Sequence, residues 1–157
     1  MQTIALIDYG AGNLRSVERA LEAAAAQAAM PSRVVMTDDP AIVRSADRIV
    51  LPGQGAFDDC MKGLEARSGV IEAMDERVRQ KGAPFLGICV GMQLLADEGL
   101  EHGGYRGLGW IGGVCRPLKT GAAERVPHMG WNEAEPLRAH PVSAPLSPAR
   151  HVYFCHS

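Results

Sequence analysis

No stretch of the 157-residue sequence approaches the roughly 18 consecutive apolar residues of a membrane-spanning helix, so no membrane partner is expected. The opening "MQTIALIDYG" has no cationic segment, and its apolar run is too short for a secretory signal. The four cysteines (60, 89, 115 and 155) form no C-x-x-C pair and no metal-type spacing. No metal site is expected, and reduced thiols in a cytoplasmic protein are. An excess of charge of one sign is missing too: 16 Lys and Arg stand against 18 Asp and Glu, which leaves no basic field for nucleic acid. There is no internal repeat or low-complexity linker, so a single domain over residues 1–157 is expected, long enough for a normal core.

What is present is a soluble globular composition, 46% apolar and 22% charged. Its first half alternates short apolar runs with helical stretches, the pattern of an α/β fold with a parallel sheet. "TIALIDY" (3–9) reads as a buried first strand ending in the loop "GAGN". A helix follows from about Leu14 to Ala29, with Asn13 as its N-cap. "RVVM" (33–36) and "DRIVLP" (47–52) are the next strands, with Asp38 and Asp39 before Pro40 capping a short helix between them. Two helical stretches, about 56–66 and 69–81, break at Ser68-Gly69. "APFLGIC" (83–89) is a fourth strand that feeds the helix "VGMQLLADEG" (90–99). A glycine-rich stretch comes next, and then "GGVCRPL", "MGWNEAEPL" and "RHVYFCH" read as strands of antiparallel character.

"GICVG" (87–91) has the form G-x-C-x-G, the cysteine version of the nucleophile elbow. A sharp strand-to-helix turn strains the nucleophile's backbone, and small residues on either side let strand and helix pack closely. The helix N-terminus then favours a thiolate at Cys89, and the Val90 N–H faces the oxyanion that forms at the attacked carbon. The alternative is an ordinary buried structural thiol. "LPGQGAF" (51–57) is a second strand ending in a glycine-bracketed loop, where amides around Gly53, Gln54 and Gly55 offer another oxyanion donor, or simply a tight turn. "GAGNLR" (10–15) begins like a dinucleotide fingerprint, with Asp38 as a ribose ligand, but Arg15 occupies the place of the third glycine. No cofactor is expected.

Taken together, "IDYGAGNLRSV", "LPGQGAF", "GICVGMQLL" and "RVPHMGWNE" resemble the class I glutamine amidotransferases, and within them the glutaminase subunits of imidazole glycerol phosphate synthase. The resemblance runs from residue 3 to residue 157. It implies a flavodoxin-like fold, a central mostly parallel sheet flanked by helices. Cys89 would attack the side-chain amide of L-glutamine, releasing ammonia and leaving a thioester for water to cleave. Val90 and Gln54 would give main-chain donors to the oxyanion. Gly53, Gly55, Gln93, Glu101, His156 and Ser157 would hold the glutamine, Glu101 facing its α-ammonium group. Asn13, His128, Met129, Gly130, Trp131, Asn132 and Tyr153 match segments that face a (β/α)₈-barrel cyclase subunit, the partner in a heterodimer that receives the ammonia. Trp131 as a core aromatic is the plainer alternative.

Such a cysteine needs a histidine to move its proton and a carboxylate to orient that histidine. The family supplies both from an "F-H-P-E"-like motif, which this sequence does not contain. None of the five histidines replaces it: His102 lies in a glycine-rich loop without a motif partner, His128 belongs to the "VPHMGWN" segment, whose role in the family is structural and interfacial, His140 and His151 lie in or near a polar, proline-rich stretch, and the neighbours of His156, Cys155 and Ser157, offer no carboxylate. The expectation is therefore a C-terminally incomplete domain, its closing strands and helix missing, poorly stable and inactive alone. Its rivals are a binding module for the cyclase or for glutamine, and another α/β protein with an elbow cysteine.

Overall fold

In a computed structural model describing residues 1–121, 125–146 and 148–157, the first apolar run becomes β1 (Gln2–Ile7), buried from Ile4 onward. The loop after it leads into α1 (Leu14–Gln27), where the Asn13 side chain accepts the Ser16 N–H at 3.2 Å. Then follow β2 (Ser32–Thr37), α2 (Pro40–Ser45) and β3 (Arg48–Leu51). Asp39 caps α2 by accepting the Ala41 N–H at 2.8 Å, with Pro40 at the first helical position. Next come α3 (Phe57–Glu65) and α4 (Val70–Asp75), separated at Ser68-Gly69, where Gly69 takes a left-handed φ of 78°. The second expected helix does not run on as one α-helix. It widens into a π-type turn over Glu76–Gln80 before β4 (Phe85–Gly87) and α5 (Val90–Gln93).

The four strands lie in the order β2-β1-β3-β4, all parallel. This is the flavodoxin-like arrangement, which places ligands at the carboxyl ends of the strands. Alternation along the strands sorts side chains to two faces. Ile4, Leu6 and Val50 pack with Leu14, Val17 and Leu21 of α1. Ala5, Ile7, Ile49 and Leu51 join Val43, Leu64, Val70 and Met74 from the helices on the other face. β4 lies at one edge of this sheet.

The helix after the elbow is much shorter than its sequence suggests. The carbonyls of Leu94, Leu95 and Ala96 do not propagate it; they accept N–H groups of Leu108, Trp110 and Gly109 at 2.8 to 3.0 Å. The chain instead enters β5 (Glu98–Gly99), which pairs antiparallel with β6 (Tyr105–Arg106) and parallel with β7 (Val114–Cys115). Gly99 and Gly107 permit this. A Cβ on Gly99 would sit 2.6 Å from an edge atom of the Phe57 ring, and one on Gly107 would sit 2.9 Å from the Leu94 carbonyl oxygen. The expected strand "GGVCRPL" thus contracts to two residues, and β5 and β6 had no clear period to announce them.

Two compact units make up the chain, Met1–Arg116 and Pro117–Ser157. The second contains β8 (His128–Ala134) and β9 (Arg150–His156), an antiparallel pair in register from His128 opposite His156 to Ala134 opposite Arg150. Trp131 and Tyr153 face each other across it edge to face, ring centroids 5.7 Å apart.

Candidate active site

Three loops meet at the carboxyl end of the sheet, and glycines allow them to touch. Cys89 follows β4 with φ 55° and ψ −121°, a backbone conformation that L-residues rarely occupy and that costs about 1–3 kcal/mol. Close packing holds it there. A Cβ on Gly87 would lie 2.6 Å from the Met92 Cα and 2.8 Å from the Gly91 carbonyl oxygen. One on Gly91 would lie 2.8 Å from the Pro52 carbonyl oxygen, and one on Gly53 2.8 Å from the Val90 carbonyl carbon. The Ile88 N–H also donates to the Leu51 carbonyl at 2.9 Å. The elbow and the 52–55 loop are therefore a single packed unit, and the turn leaves the Cys89 thiol exposed. The first loop joins them through Gly12 (φ 95°), where a Cβ would stand 3.1 Å from the Pro52 Cβ.

The thiol is exposed on a strained elbow and not buried, as an ordinary structural cysteine would be. The sequence's emphasis on a helix dipole needs trimming, since α5 is only one turn long. Within it the Gly91 N–H donates to Ile88 and the Met92 N–H to Cys89, both at 3.0 Å. Among the described residues no acceptor takes the Val90 N–H, so it stays an orphan donor of that turn.

The 52–55 loop is anchored by side chains that sequence reasoning did not single out. The buried Tyr9 hydroxyl donates to the Pro52 carbonyl at 2.6 Å, and the buried Cys60 thiol donates to the Gln54 carbonyl at 3.3 Å. Burial, with the neighbouring thiols of Cys60 and Cys89 adding to it, pushes the Tyr9 phenol well above its ordinary range, so it remains a neutral donor. Their only sequence signals are the place of Tyr9 just after β1 and of Cys60 on the buried stripe of α3.

Gln93 sits one turn past Cys89, half-buried, with its N–H on the Cys89 carbonyl at 3.2 Å. Glu101 lies in the turn after β5 and is exposed. Its carboxylate accepts the Phe57 N–H at 3.1 Å, supplying the first turn of α3 with a partner that Ala56 has no side chain to provide. His102 has a partner after all: its Nδ1 lies 3.1 Å from Asp58, which also accepts Lys62 at 2.7 Å. These hydrogen bonds, Lys62 first and His102 second, lower the Asp58 carboxyl to about 2, and the Asp58 hydrogen bond raises His102 above its usual value. Among the described residues no hydrogen bond or ion pair joins Cys89 to a histidine.

In the second unit His128 and His156 lie 2.8 Å apart, Nδ1 to Nε2, and Phe154 stacks on His128. Trp131 is 71% exposed, which removes the core-aromatic alternative, and Met129 and Tyr153 are exposed as well. The Asn132 side chain accepts its neighbour's N–H at 2.9 Å, and Ser157 follows β9. No group of three or more metal-ligating side chains occurs among the described residues. No helix there is long and apolar enough to cross a membrane.

The sequence profile described as glutamine amidotransferase class-I matches residues 5–157. The chain belongs to the class I glutamine amidotransferases. Within that family it is 50% identical over 156 residues to imidazole glycerol phosphate synthase subunit HisH of Rhodospirillum rubrum, covering 98% of this chain and 73% of that protein. It is 51% identical over 158 residues to the subunit of the same name from Caulobacter vibrioides, covering 100% and 74%. A solved structure, "Crystal structure of glutamine amidotransferase", shares the amidotransferase fold with a TM-score of 0.58 at 18% identity, over 82% of this chain and 62% of that one.

Proposed function

We propose that this amidotransferase is the glutaminase subunit of imidazole glycerol phosphate synthase, a cytoplasmic enzyme component that releases ammonia from L-glutamine for histidine biosynthesis. The observation that carries this reading is the strained, exposed Cys89 packed directly on the 52–55 loop, in a chain about half identical to such subunits over its whole length. Cys89 is the nucleophile. Its sulfur attacks the glutamine amide carbon, and the oxyanion is met by the Val90 N–H and a main-chain amide of the 53–55 loop. The C–N bond breaks, ammonia leaves, and water cleaves the thioester to glutamate. In this reading Gln93, Glu101, Gly53 and Gly55 of the first unit hold the glutamine. For Glu101 this requires that its carboxylate leave the Phe57 N–H or serve both partners.

The ammonia passes to a (β/α)₈-barrel cyclase subunit. In this reading Asn13 of the first unit, and separately His128, Met129, Gly130, Trp131, Asn132 and Tyr153 of the second, face that subunit, and the exposure of Met129, Trp131 and Tyr153 supports it. The family profile spanning 5–157 supports one amidotransferase domain.

Attack by Cys89 also needs a base for the thiol proton and an acid for the leaving ammonia. Residues 1–116 contain one histidine, His102, and it is held by Asp58. Because the 157 residues contain no F-H-P-E-like motif, we infer that by themselves they lack the general base and are inactive in steady state. This favours a second reading, a module that binds the cyclase or glutamine without turning over. Treatment with a glutamine-analogue electrophile, followed by intact mass and peptide mapping, tests the first. Single labelling at Cys89, much faster than by a generic alkylating agent of equal reactivity, is expected. Indiscriminate labelling of Cys89 and Cys155 alike would sink the glutamine-site reading. Steady-state hydrolysis at the rate of full-length relatives would sink the claim of inactivity.

A further inference from the structure

At one end of the β8–β9 ribbon two imidazoles converge. His128 and His156, 28 residues apart in the chain, stand directly opposite in the register, and the Nδ1 of His128 lies 2.8 Å from the Nε2 of His156. Gly130, the next residue of β8 on that face, has no side chain. The ring of Phe154 opposite it therefore stacks on His128, centroids 5.3 Å apart, and lies 5.7 Å from the ring of His156. Water still reaches the pair, since His156 is exposed and His128 half-buried. Among the described residues neither ring meets a carboxylate. The outward nitrogens, Nε2 of His128 and Nδ1 of His156, have no hydrogen-bond partner there either.

The distance carries a geometric preference. Imidazole nitrogens about 2.0 Å from a metal ion stand about 2.8 Å apart on neighbouring corners of a square-planar or tetragonal site, but about 3.3 Å apart in a tetrahedral one. Nickel(II) and copper(II) favour the first geometry and accept neutral imidazole. At present a proton bridges the two nitrogens. For both to ligate, it moves through water to the outward nitrogen of its own ring, and a turn of each ring aims the two lone pairs at one point. The neutral pair then binds the ion with no net loss of protons. We propose that His128 and His156 form a site for a tetragonal divalent transition-metal ion of the nickel(II) or copper(II) class, ligated by Nδ1 of His128 and Nε2 of His156, with water at the remaining positions. The site goes beyond the glutaminase reading and does not depend on it.

The test adds nickel(II) to the 157-residue chain at neutral pH, with the exposed thiols of Cys89 and Cys155 blocked by alkylation. The paramagnetic ion should broaden the ring resonances of His128 and His156 at concentrations that leave those of His102, His140 and His151 sharp. By calorimetry, His128→Gln and His156→Gln should each weaken nickel(II) binding at least about tenfold, since even an outer hydrogen-bond partner of a ligating histidine is worth that much. His151→Gln, on the opposite face of β9, should stay within about twofold of the parent. Excess magnesium, which takes oxygen ligands, should not compete. A further measurement needs no variant. Nickel(II) at about a hundred times its Kd should slow exchange of the β8 and β9 amides about a hundredfold, as binding to the folded ribbon alone requires. Equal broadening of all five histidines, affinity unchanged in both Gln variants, or ribbon exchange that the metal does not slow overturns the site.

Discussion

The two units of this chain make opposite use of apolar side chains. In Met1–Arg116 the sheet is covered on both faces, and residues such as Leu6, Ile7, Leu51 and Leu94 are wholly withdrawn from water. In Pro117–Ser157 the large apolar groups Met129, Trp131, Leu137, Val142 and Tyr153 stay exposed, and the organising element is one two-stranded ribbon. Such a ribbon is marginal by itself in water. The first unit therefore spends its hydrophobic residues on a core that holds a strained cysteine in place. The second presents them outward, where they are available to bind.

Amide hydrogen exchange gives the widest test of that contrast. Amides of Ile4–Ile7 and Ile49–Leu51 should exchange on the order of a thousandfold more slowly than those of β8 and β9, since protection follows the free energy of local opening. Equal protection would erase the distinction. Within the first unit, Gly91→Ala sets a methyl against the Leu51 and Pro52 backbone and should cost about 3 kcal/mol or more in denaturant unfolding. A cost below about 1 kcal/mol would mean that the two loops are not locked together. Cys89→Gly should work the other way, stabilising the unit by about 1–3 kcal/mol as the strain at φ 55° is relieved, while abolishing labelling by the glutamine analogue. In the second unit, Trp131→Ala removes one edge-to-face contact and should cost no more than about 1.5 kcal/mol, read from exchange of the β8 and β9 amides.

The smallest effect is the pH dependence of the Asp58–His102 contact. Hydrogen bonding to Asp58 raises His102 above its ordinary 6.5, so its contribution is complete below that pH and is lost as pH rises through the folded value. Asp58 is lowered from 3.8 to about 2, so its contribution is present above 3.8 and fades as pH falls toward 2. The contact is strongest between these limits. An NMR titration of His102 should give a value above 6.5 that returns toward it in Asp58→Asn; a parent value at or below 6.5 would remove the contact.

Much of the first unit could be read in advance because its signals are local. The alternation of apolar strands and helices, the caps at Asn13 and Asp39, and the G-x-C-x-G spacing each act through near neighbours, and all appear where the periodicity puts them. The glycine-rich stretch was opaque for the opposite reason. The helix after Cys89 stops at Gln93 because Leu108, Gly109 and Trp110 claim its carbonyls from more than ten residues away. His102 and Glu101 gain partners from α3 across 44 residues, which no spacing rule anticipates.

By itself the sequence determined the parallel α/β order, the elbow at Cys89 and the family to which both belong, because strand period, helix caps and glycine spacing are written in contiguous residues. Only the tertiary structure decided that Gly53 and Gly91 join two loops into one site, and that Tyr9 and Cys60 stand behind it. Those relations are close contacts between backbone segments far apart in the chain. They exist only once the sheet has brought the carboxyl ends of β1, β3 and β4 together.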